Sequence, residues 1–531
     1  MPEANKSRRR SGGAVAVAAG IFLSRIAGLV RERVIAHYLG LSPAAAAFRA
    51  ALRIPNLLQN MLGEGVLSAS FIPVYSRLLG EGRTEEASRV ARVIGTLLAL
   101  VASLIALLGV VVADPLVDIL APGFEESTRD LTVSLVRILF PGTALLVMSA
   151  WCLGVLNSHK KFFLAYVAPV LWSVAMIAAA IVAGRSVAGY DDRIAEWIAY
   201  GAVIGSAAQF VIQLPQVIRL LRGVAPALDI KQPGVRSTLR AFLPVLVGRG
   251  SVQISAYIDQ VVASYLGESI VAAMAFAQTL YLLPVSLFGM AISAAELPEM
   301  SSGAISDTDR AAFLQKRLAS SLRRVMFLVV PSAVAFAAIG DAIVTLVFQT
   351  GRFGGKDSQL VWIILAGSAI GLVPNTLGRL LGSTFYALQD TRRPLYASLV
   401  RVLIGTALGF TIALPLREAL GYGPALGAFG ITAAAGAMSW LELLLLRHWL
   451  AQRIGPPPIP MRLAFGAFAA AALAGGLGFA TNHVFHELHF PILIGPLAAI
   501  AVFGVTYFGV MAAAKVPEAA SVVRRVLRIG R

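Results

Sequence analysis

The sequence predicts an all-α integral membrane protein with fourteen transmembrane helices. Only 14% of the 531 residues are charged and 57% are hydrophobic, whereas soluble domains carry about 25% charged residues. The mean hydropathy is +0.77. Long apolar runs alternate with short polar loops, and roughly 20 apolar residues suffice for one spanning helix. These runs are too long and continuous for the roughly 10-residue alternating strands of a membrane barrel.

Fourteen apolar runs are long enough to be counted as predicted spans. Their centres lie near residues 26, 64, 102, 146, 172, 206, 250, 283, 332, 372, 404, 434, 472 and 504. The first run follows a basic start, KSRRRSGG, and imitates a secretory signal. Its apolar stretch continues through Arg25 and Arg31 with no clear cleavage pattern, so we interpret it as a retained first span.

The distribution of Lys and Arg predicts the orientation in the membrane. Basic clusters occur in every second loop and at both ends, at residues 6–10, 77–92, 159–161, 219–240, 316–324, 392–393, 447–462 and 515–531. Cytoplasmic loops carry the excess of basic residues, so both termini are expected on the cytoplasmic side. Arg352 and Lys356 are the exception, since they fall on the outer side.

The net charge of +17 follows from the same loops. Each basic residue near an anionic membrane surface contributes about 1 kcal/mol of attraction, so bilayer lipids are expected partners. Nucleic acid is not expected, because the charge is spread over many loops and no aromatic-rich domain accompanies it.

An internal repeat predicts two lobes of six helices each. VIAHYLG at 34–40 matches VVASYLG at 261–267, and each copy precedes a span with a central proline, Pro55 or Pro284. These spans end in FIP at 71–73 and ELP at 296–298. Parallel repeats of this kind place the substrate between the lobes.

The repeat and two Pro-rich linkers set the predicted domain boundaries. The N-terminal lobe covers 1–222, a cytoplasmic linker 223–236, the C-terminal lobe 237–454, and two extra helices with a basic tail 455–531.

The second span carries a stripe of polar and charged residues that would be costly to expose to lipid. Its members are spaced by four, three, four and four residues, which places them on one helix face: Arg49, Arg53, Asn56, Asn60 and Glu64, flanked by Gln59. A charge at the bilayer centre costs at least about 3 kcal/mol. This face is therefore expected to meet protein or a water-filled cavity.

Further charges lie inside other predicted spans. They are Arg25, Arg31, Glu32 and Arg33 in the first span, Arg249 and Asp259 with Gln253 and Gln260 in the seventh, and Arg137, Arg379, Arg401 and Glu442 further on. Taken together, the first, second and seventh spans contain more cations than anions. Excess positive charge favours an anionic ligand, and guanidinium groups suit phosphate through bidentate hydrogen bonds.

A structural interpretation of the same charges stays open. Arg31 and Arg33 are able to pair with Glu32 or Glu64 as salt bridges, and Arg53 is able to extend to the membrane interface along its own aliphatic stem.

The motifs SRIAGLVRERVIAHYLG, LRIPNLLQNMLGEGVLSASFIPVYSRLL and LNSHKKFF resemble the MurJ (MviN) family of lipid II flippases. The resemblance covers essentially the whole chain. It implies the fold of the multidrug/oligosaccharidyl-lipid/polysaccharide (MOP) exporters and a role in peptidoglycan biosynthesis, and thus in cell-wall biogenesis and cell shape. The implied substrate is undecaprenyl-diphosphate-linked muropeptide, with the cell-wall synthesis machinery as a further candidate partner.

The resemblance also implies site residues. Family arginines that contact the diphosphate correspond to Arg25, Arg31 and Arg53, with Asn56 and Glu64 nearby. Ser24 and Asp259 are weaker candidates.

Two basic positions of the family are missing here. Many members have arginine where this chain has Gln59, and an arginine with a glutamate in the eighth span, where this chain has Gln278 and Thr279. Arg49 and Arg249 are the candidates to replace them. The family's sodium site uses acidic and amide groups of the eleventh span, which here contributes Arg401, so that site is not assigned.

These observations predict a transporter that works by alternating access, with no cofactor and no metal. There is no P-loop for ATP hydrolysis. The alternatives are a flippase for another polyprenyl-diphosphate glycan, a cation-coupled drug exporter of the same fold, and a membrane glycosyltransferase or polymerase. A transferase needs large outer loops with catalytic carboxylates or a metal, whereas the outer loops here are short. The three histidines of HVFHELH have a spacing of three, which does not match a helical zinc pair.

Overall fold

The structure is a computed structural model that describes residues 2–223, 225–290, 292, 307–388 and 390–519. The described part is helical, and its β contact is a single bridge between Thr350 and Phe353. The first ten α-helices are α1 Pro2–Leu39, α2 Pro43–Leu62, α3 Glu64–Gly80, α4 Thr84–Val111, α5 Ala113–Leu120, α6 Glu126–Ser158, α7 Phe162–Ser186, α8 Asp191–Leu221, α9 Pro233–Ser264 and α10 Glu268–Pro284.

A π-helical turn, Val285–Met290, continues α10. The remaining helices are α11 Asp307–Ala338, α12 Gly340–Phe348, α13 Gly355–Ala387, α14 Arg392–Ala413, α15 Pro415–Leu420, α16 Pro424–Ile454, α17 Met461–Glu487 and α18 Ile494–Ala513. The predicted all-α fold class is confirmed.

Eleven helices in the described residues are long and apolar enough to cross a membrane. They contain the predicted centres at 102, 146, 172, 206, 283, 332, 372, 404, 434, 472 and 504. The other three centres, at 26, 64 and 250, fall on α1, on the break between α2 and α3, and on α9. These helices carry the candidate charges, which lower their apolar content. The chain is a multi-pass membrane protein, and the number fourteen stays a prediction.

The chain forms two units, residues 1–272 with 350–353, and residues 273–349 with 354–531. The core of the first unit lies where α3, α4 and α6 meet. Phe71, Tyr75 and Trp151 are buried there, and the Trp151 indole donates to the carbonyl of Ala91 at 3.0 Å. The lobe boundaries predicted from the repeat remain a prediction.

The end of α1 is fixed by the short segment 350–353, which belongs to the first unit. The Arg352 amide donates to the His37 carbonyl at 2.9 Å, and His37 Nδ1 lies 2.9 Å from Thr350 Oγ1. Arg352, the exception to the basic-loop pattern, forms an ion pair with Asp191. Its charge is therefore balanced where the pattern did not expect a cation.

The second predicted span is interrupted in the structure. Gly63 separates α2 from α3, and its amide donates to the Gln59 carbonyl at 2.7 Å. In the second copy of the repeat, Pro284 is followed by the π-helical turn. The ELP motif at 296–298 lies outside the described residues.

In the second unit, α13 and α16 pack through glycine. A Cβ added to Gly371 would lie 2.8 Å from the Cα of Gly436. On one side of this crossing, Thr432 Oγ1 donates to the Ile364 carbonyl at 3.1 Å. The Trp440 indole donates to the Ile370 carbonyl, also at 3.1 Å. Small residues allow such close backbone approach between membrane helices.

We expect Gly371→Ala to destabilise the protein, because the added methyl group meets the backbone of α16 and overpacking typically costs about 1–3 kcal/mol. The measurement is thermal unfolding of the purified protein in detergent, followed by circular dichroism.

Gly382→Ala is the matched control, since Gly382 lies on the same helix and an added Cβ meets nothing within 4 Å. Both changes gain the same helix propensity, so equal unfolding temperatures for the two variants would contradict the close crossing.

Candidate anion-binding site

A buried carboxylate joins two of the candidate arginines. Glu32 on α1 is only 3% exposed. Arg31 donates to its Oε1 atom from Nη2 at 2.8 Å and from Nε at 3.2 Å, and Arg49 on α2 forms an ion pair with Oε2. This Arg31–Glu32–Arg49 cluster ties α1 to α2. Counted over these three residues, two guanidinium groups and one carboxylate sum to a formal charge of +1.

The Arg31 guanidinium is also held from α7. Its Nη1 atom donates to Ser173 Oγ at 3.3 Å, and its Cζ atom lies 4.6 Å from the centroid of the Trp172 ring. A guanidinium over an indole face gains a cation–π attraction. The carboxylate, hydroxyl and ring together fix the orientation of Arg31, whose side chain keeps 17% of its surface exposed.

Arg53 belongs to a second set of contacts, between α2 and α9. Its Nη1 atom donates to Gln260 Oε1 at 2.9 Å, and the Tyr257 hydroxyl donates to its backbone carbonyl at 2.7 Å. Asp259 lies close enough to act on its charge. The polar stripe of α2 is thus divided, with Arg49 directed to α1 and Arg53 directed to α9.

The other candidates differ in exposure. Arg25 and Asn56 are exposed, and Ser24 and Gln59 are half-buried. Within the described residues, the Arg25 side chain has neither a hydrogen bond nor an ion pair. Glu64 begins α3 and Arg249 lies on α9, but the side chains of both fall outside what the structure describes.

The structure brings together Arg31 with Arg49, and Arg53 with the region of Asp259. Sequence reasoning named Glu32 and Gln260 as nearby polar groups. It missed Trp172, Ser173 and Tyr257, because these residues interrupt no apolar pattern: an aromatic or a serine is ordinary in a membrane helix.

The HKK loop contacts the last turn and a half of α3. Nε2 of His159 lies 2.9 Å from the Tyr75 hydroxyl. Burial, aided by the nearby Lys161 charge, lowers the pKa of His159 below its usual value. Two of the sequence motifs, FIPVYSRLL and LNSHKKFF, are therefore in direct contact.

The histidines of the HVFHELH motif lie near the end of α17 and beyond it. His483, His486 and His489 are exposed. Among the residues that the structure describes, no three His, Cys, Asp or Glu side chains are grouped to hold a metal ion.

A family model described as "Lipid II flippase MurJ" matches residues 35–498. The chain belongs to the MurJ family. The resemblance expected from the sequence motifs is thus confirmed. A MurJ relative from Burkholderia cenocepacia, named lipid II flippase MurJ, is 31% identical over 463 residues, which cover 86% of this chain and 87% of the relative.

Solved structures share the fold of this chain. A lipid II flippase MurJ in an inward closed conformation matches with a TM-score of 0.73 at 22% identity, covering 94% of this chain and 99% of that chain. An inward-facing multidrug resistance MATE transporter of the MOP superfamily matches with a TM-score of 0.63 at 16% identity, covering 83% and 98%. At these identities, the likeness concerns the fold.

We expect Glu32→Gln to destabilise the protein strongly. The change leaves Arg31 and Arg49 partly buried without their shared counter-ion, and breaking a buried ion pair costs about 3–5 kcal/mol. Denaturant unfolding in detergent, followed by tryptophan fluorescence, measures this loss.

Glu196→Gln is the control, because Glu196 pairs with an exposed arginine, Arg193, at 3.5 Å, and surface pairs contribute about 0–1 kcal/mol. A loss at Glu32 no larger than the loss at Glu196 would show that the cluster is not held by its carboxylate.

Proposed function

We propose that the protein is a lipid II flippase, which moves the undecaprenyl-diphosphate-linked muropeptide from the inner to the outer leaflet. Membership of the MurJ family supports this substrate. The observation that carries the proposal is the Arg31–Glu32–Arg49 cluster, whose excess positive charge lies inside membrane helices. Intramembrane charges of this kind mark substrate pathways by default.

The cluster suits a diphosphate because its guanidinium groups are already oriented. Glu32 holds Arg31 and Arg49 through charged hydrogen bonds, and Trp172 fixes the plane of Arg31. Arg25 presents an exposed guanidinium on the same helix. In the proposed mechanism, the substrate phosphates bind Arg25 first and then share Arg31 and Arg49 with Glu32. Arg53, Asn56, Glu64 and Arg249 contact the headgroup, and Ser24, Gln59 and Asp259 assist.

The proposed setting follows the predicted topology. The protein lies in the bacterial inner membrane with both termini in the cytoplasm, and it acts as a transporter without a cofactor. The lobes at 1–222 and 237–454, joined by 223–236, alternate in opening, while 455–531 contacts the lipid tail. Bilayer lipids and the cell-wall synthesis machinery are the proposed partners; nucleic acid is not.

The two alternatives have less support. A cation-coupled drug exporter favours carboxylates in its cavity, whereas α1 and α2 carry more arginine than carboxylate. A flippase for another polyprenyl-diphosphate glycan needs the same guanidinium groups, and only membership of the MurJ family favours lipid II.

The function is tested by depleting the protein in its host. We expect lipid II to remain inaccessible to an impermeant labelling reagent added outside, because the headgroup no longer reaches the outer leaflet. Re-expression of the wild-type chain should restore labelling. Unchanged labelling after depletion, the result expected of a drug exporter, would overturn the proposal.

We expect Arg25→Ala and Arg31→Ala each to abolish growth complementation while the protein still reaches the membrane, because each removes a phosphate-binding guanidinium. Complementation of the depletion strain and membrane immunoblots measure the two properties. Arg83→Ala is the control, since Arg83 is an exposed loop residue paired with Glu81 and Glu86. Full growth with both site variants would discard the assignment.

A further inference from the structure

The second unit contains a charged cluster inside its membrane helices that the proposed function does not use. Arg401 on α14 and Glu442 on α16 form an ion pair at 2.7 Å. Both side chains are largely shielded, with 21% and 18% of their surfaces exposed. Because the two charges cancel, the pair costs less free energy among apolar helices than either group would alone.

A third charge lies at the same level of the bundle. A Cβ added to Gly371 would lie 2.8 Å from Gly436 Cα, and one added to Gly378 would lie 3.9 Å from Leu446 Cδ1. These neighbours show that α13 and α16 run in parallel. This register places Glu442 about one turn before Arg379 along the bundle. Helical side chains lean toward the N-terminus of their helix, so the Arg379 guanidinium extends toward Glu442. The two charges are close enough to interact electrostatically.

Arg379 differs from Arg401 because no partner neutralises it. Its side chain is exposed, and it makes no hydrogen bond or ion pair with the part of the chain that the structure describes. By the helical rise of about 1.5 Å per residue, it lies about 12 Å before the end of α13 at Ala387. An unpaired guanidinium among membrane helices costs free energy unless it meets water or a ligand.

A neutral donor lies beside this guanidinium. The Tyr281 hydroxyl on α10 accepts a hydrogen bond from Asn375 Nδ2 at 2.8 Å, and Asn375 precedes Arg379 by one helical turn on the same face. The hydroxyl hydrogen of Tyr281 has no acceptor among the described residues. Tyr281 and Arg379 together therefore offer donors, while the nearby carboxylate of Glu442 is already engaged by Arg401.

We propose that Arg379 and Tyr281 form a second anion-binding site, which takes the phosphate group of a lipid. The guanidinium offers a bidentate, charge-assisted pair of hydrogen bonds to phosphate, and the phenol offers a third. Asn375 positions Tyr281, and the Arg401–Glu442 pair prevents the carboxylate from capturing Arg379. The phosphate belongs either to a polyprenyl-diphosphate lipid or to an anionic phospholipid of the bilayer.

The site is tested by native mass spectrometry of the full chain in a neutral detergent. Three probes are added separately: undecaprenyl diphosphate, phosphatidylglycerol and, as a lipid without phosphate, diacylglycerol. We expect Arg379→Gln to lower the bound fraction of at least one phosphate lipid about tenfold, the loss of roughly one charge-assisted hydrogen bond. Arg379→Lys should retain part of the binding, and Tyr281→Phe should lower it about threefold.

Arg447→Gln is the matched control. Arg447 is an exposed arginine on α16, so the change removes the same charge from the same unit and should leave binding intact. A loss confined to undecaprenyl diphosphate identifies the substrate class as the source of the phosphate, and a loss confined to phosphatidylglycerol identifies the bilayer. Either loss supports the site.

The proposal is overturned if Arg379→Gln binds both phosphate lipids like the wild type, or if Arg447→Gln loses as much. Tyr281→Phe decides the question where Arg379→Gln does not purify. Because binding is measured without transport, a failure here leaves the flippase proposal intact, and the growth phenotype of Arg25→Ala tests that proposal separately.

Discussion

The arrangement of the first unit depends on one constraint, that a charge placed among apolar helices needs a counter-charge. Glu32 meets this constraint for both Arg31 and Arg49. The same contact fastens α1 to α2 and leaves one net positive charge. The packing of α1 on α2 and the proposed anion binding therefore depend on the same group, because the carboxylate that balances the charge of the arginines also holds them in position.

The second unit meets the constraint differently. Arg401 and Glu442 cancel each other, and the third charge, Arg379, stays exposed. Each unit thus contains one cluster of two arginines and one glutamate within its membrane helices. In the first unit the glutamate is shared between the arginines, whereas in the second it pairs closely with only one of them. Excess positive charge is consequently spread over the shared cluster in one case and localised on a single guanidinium in the other.

Much of the fold was predictable because the physical rule is simple: apolar runs of sufficient length form spanning helices. The eleven most apolar spans follow from that rule alone. The charges of α1, α2 and α9 were also visible in the sequence, but their partners were not. The four-residue spacing of Arg49 and Arg53 predicted a common face, yet the two side chains bind different neighbours, since partner choice depends on how α1 and α9 pack. Trp172 and Ser173 had no distinguishing pattern at all.

The break at Gly63 separates two halves of one span, α2 and α3, that contact the rest of the protein in different ways. The half after the break, α3, is embedded in the apolar core through Phe71 and Tyr75. The half before it, α2, is packed as well, because Phe48 and the alanines at 44–47 are buried. It adds ionic and hydrogen-bonded contacts through Arg49 and Arg53. The glycine therefore separates a half that depends on both apolar packing and charged contacts from a half that is embedded in the apolar core.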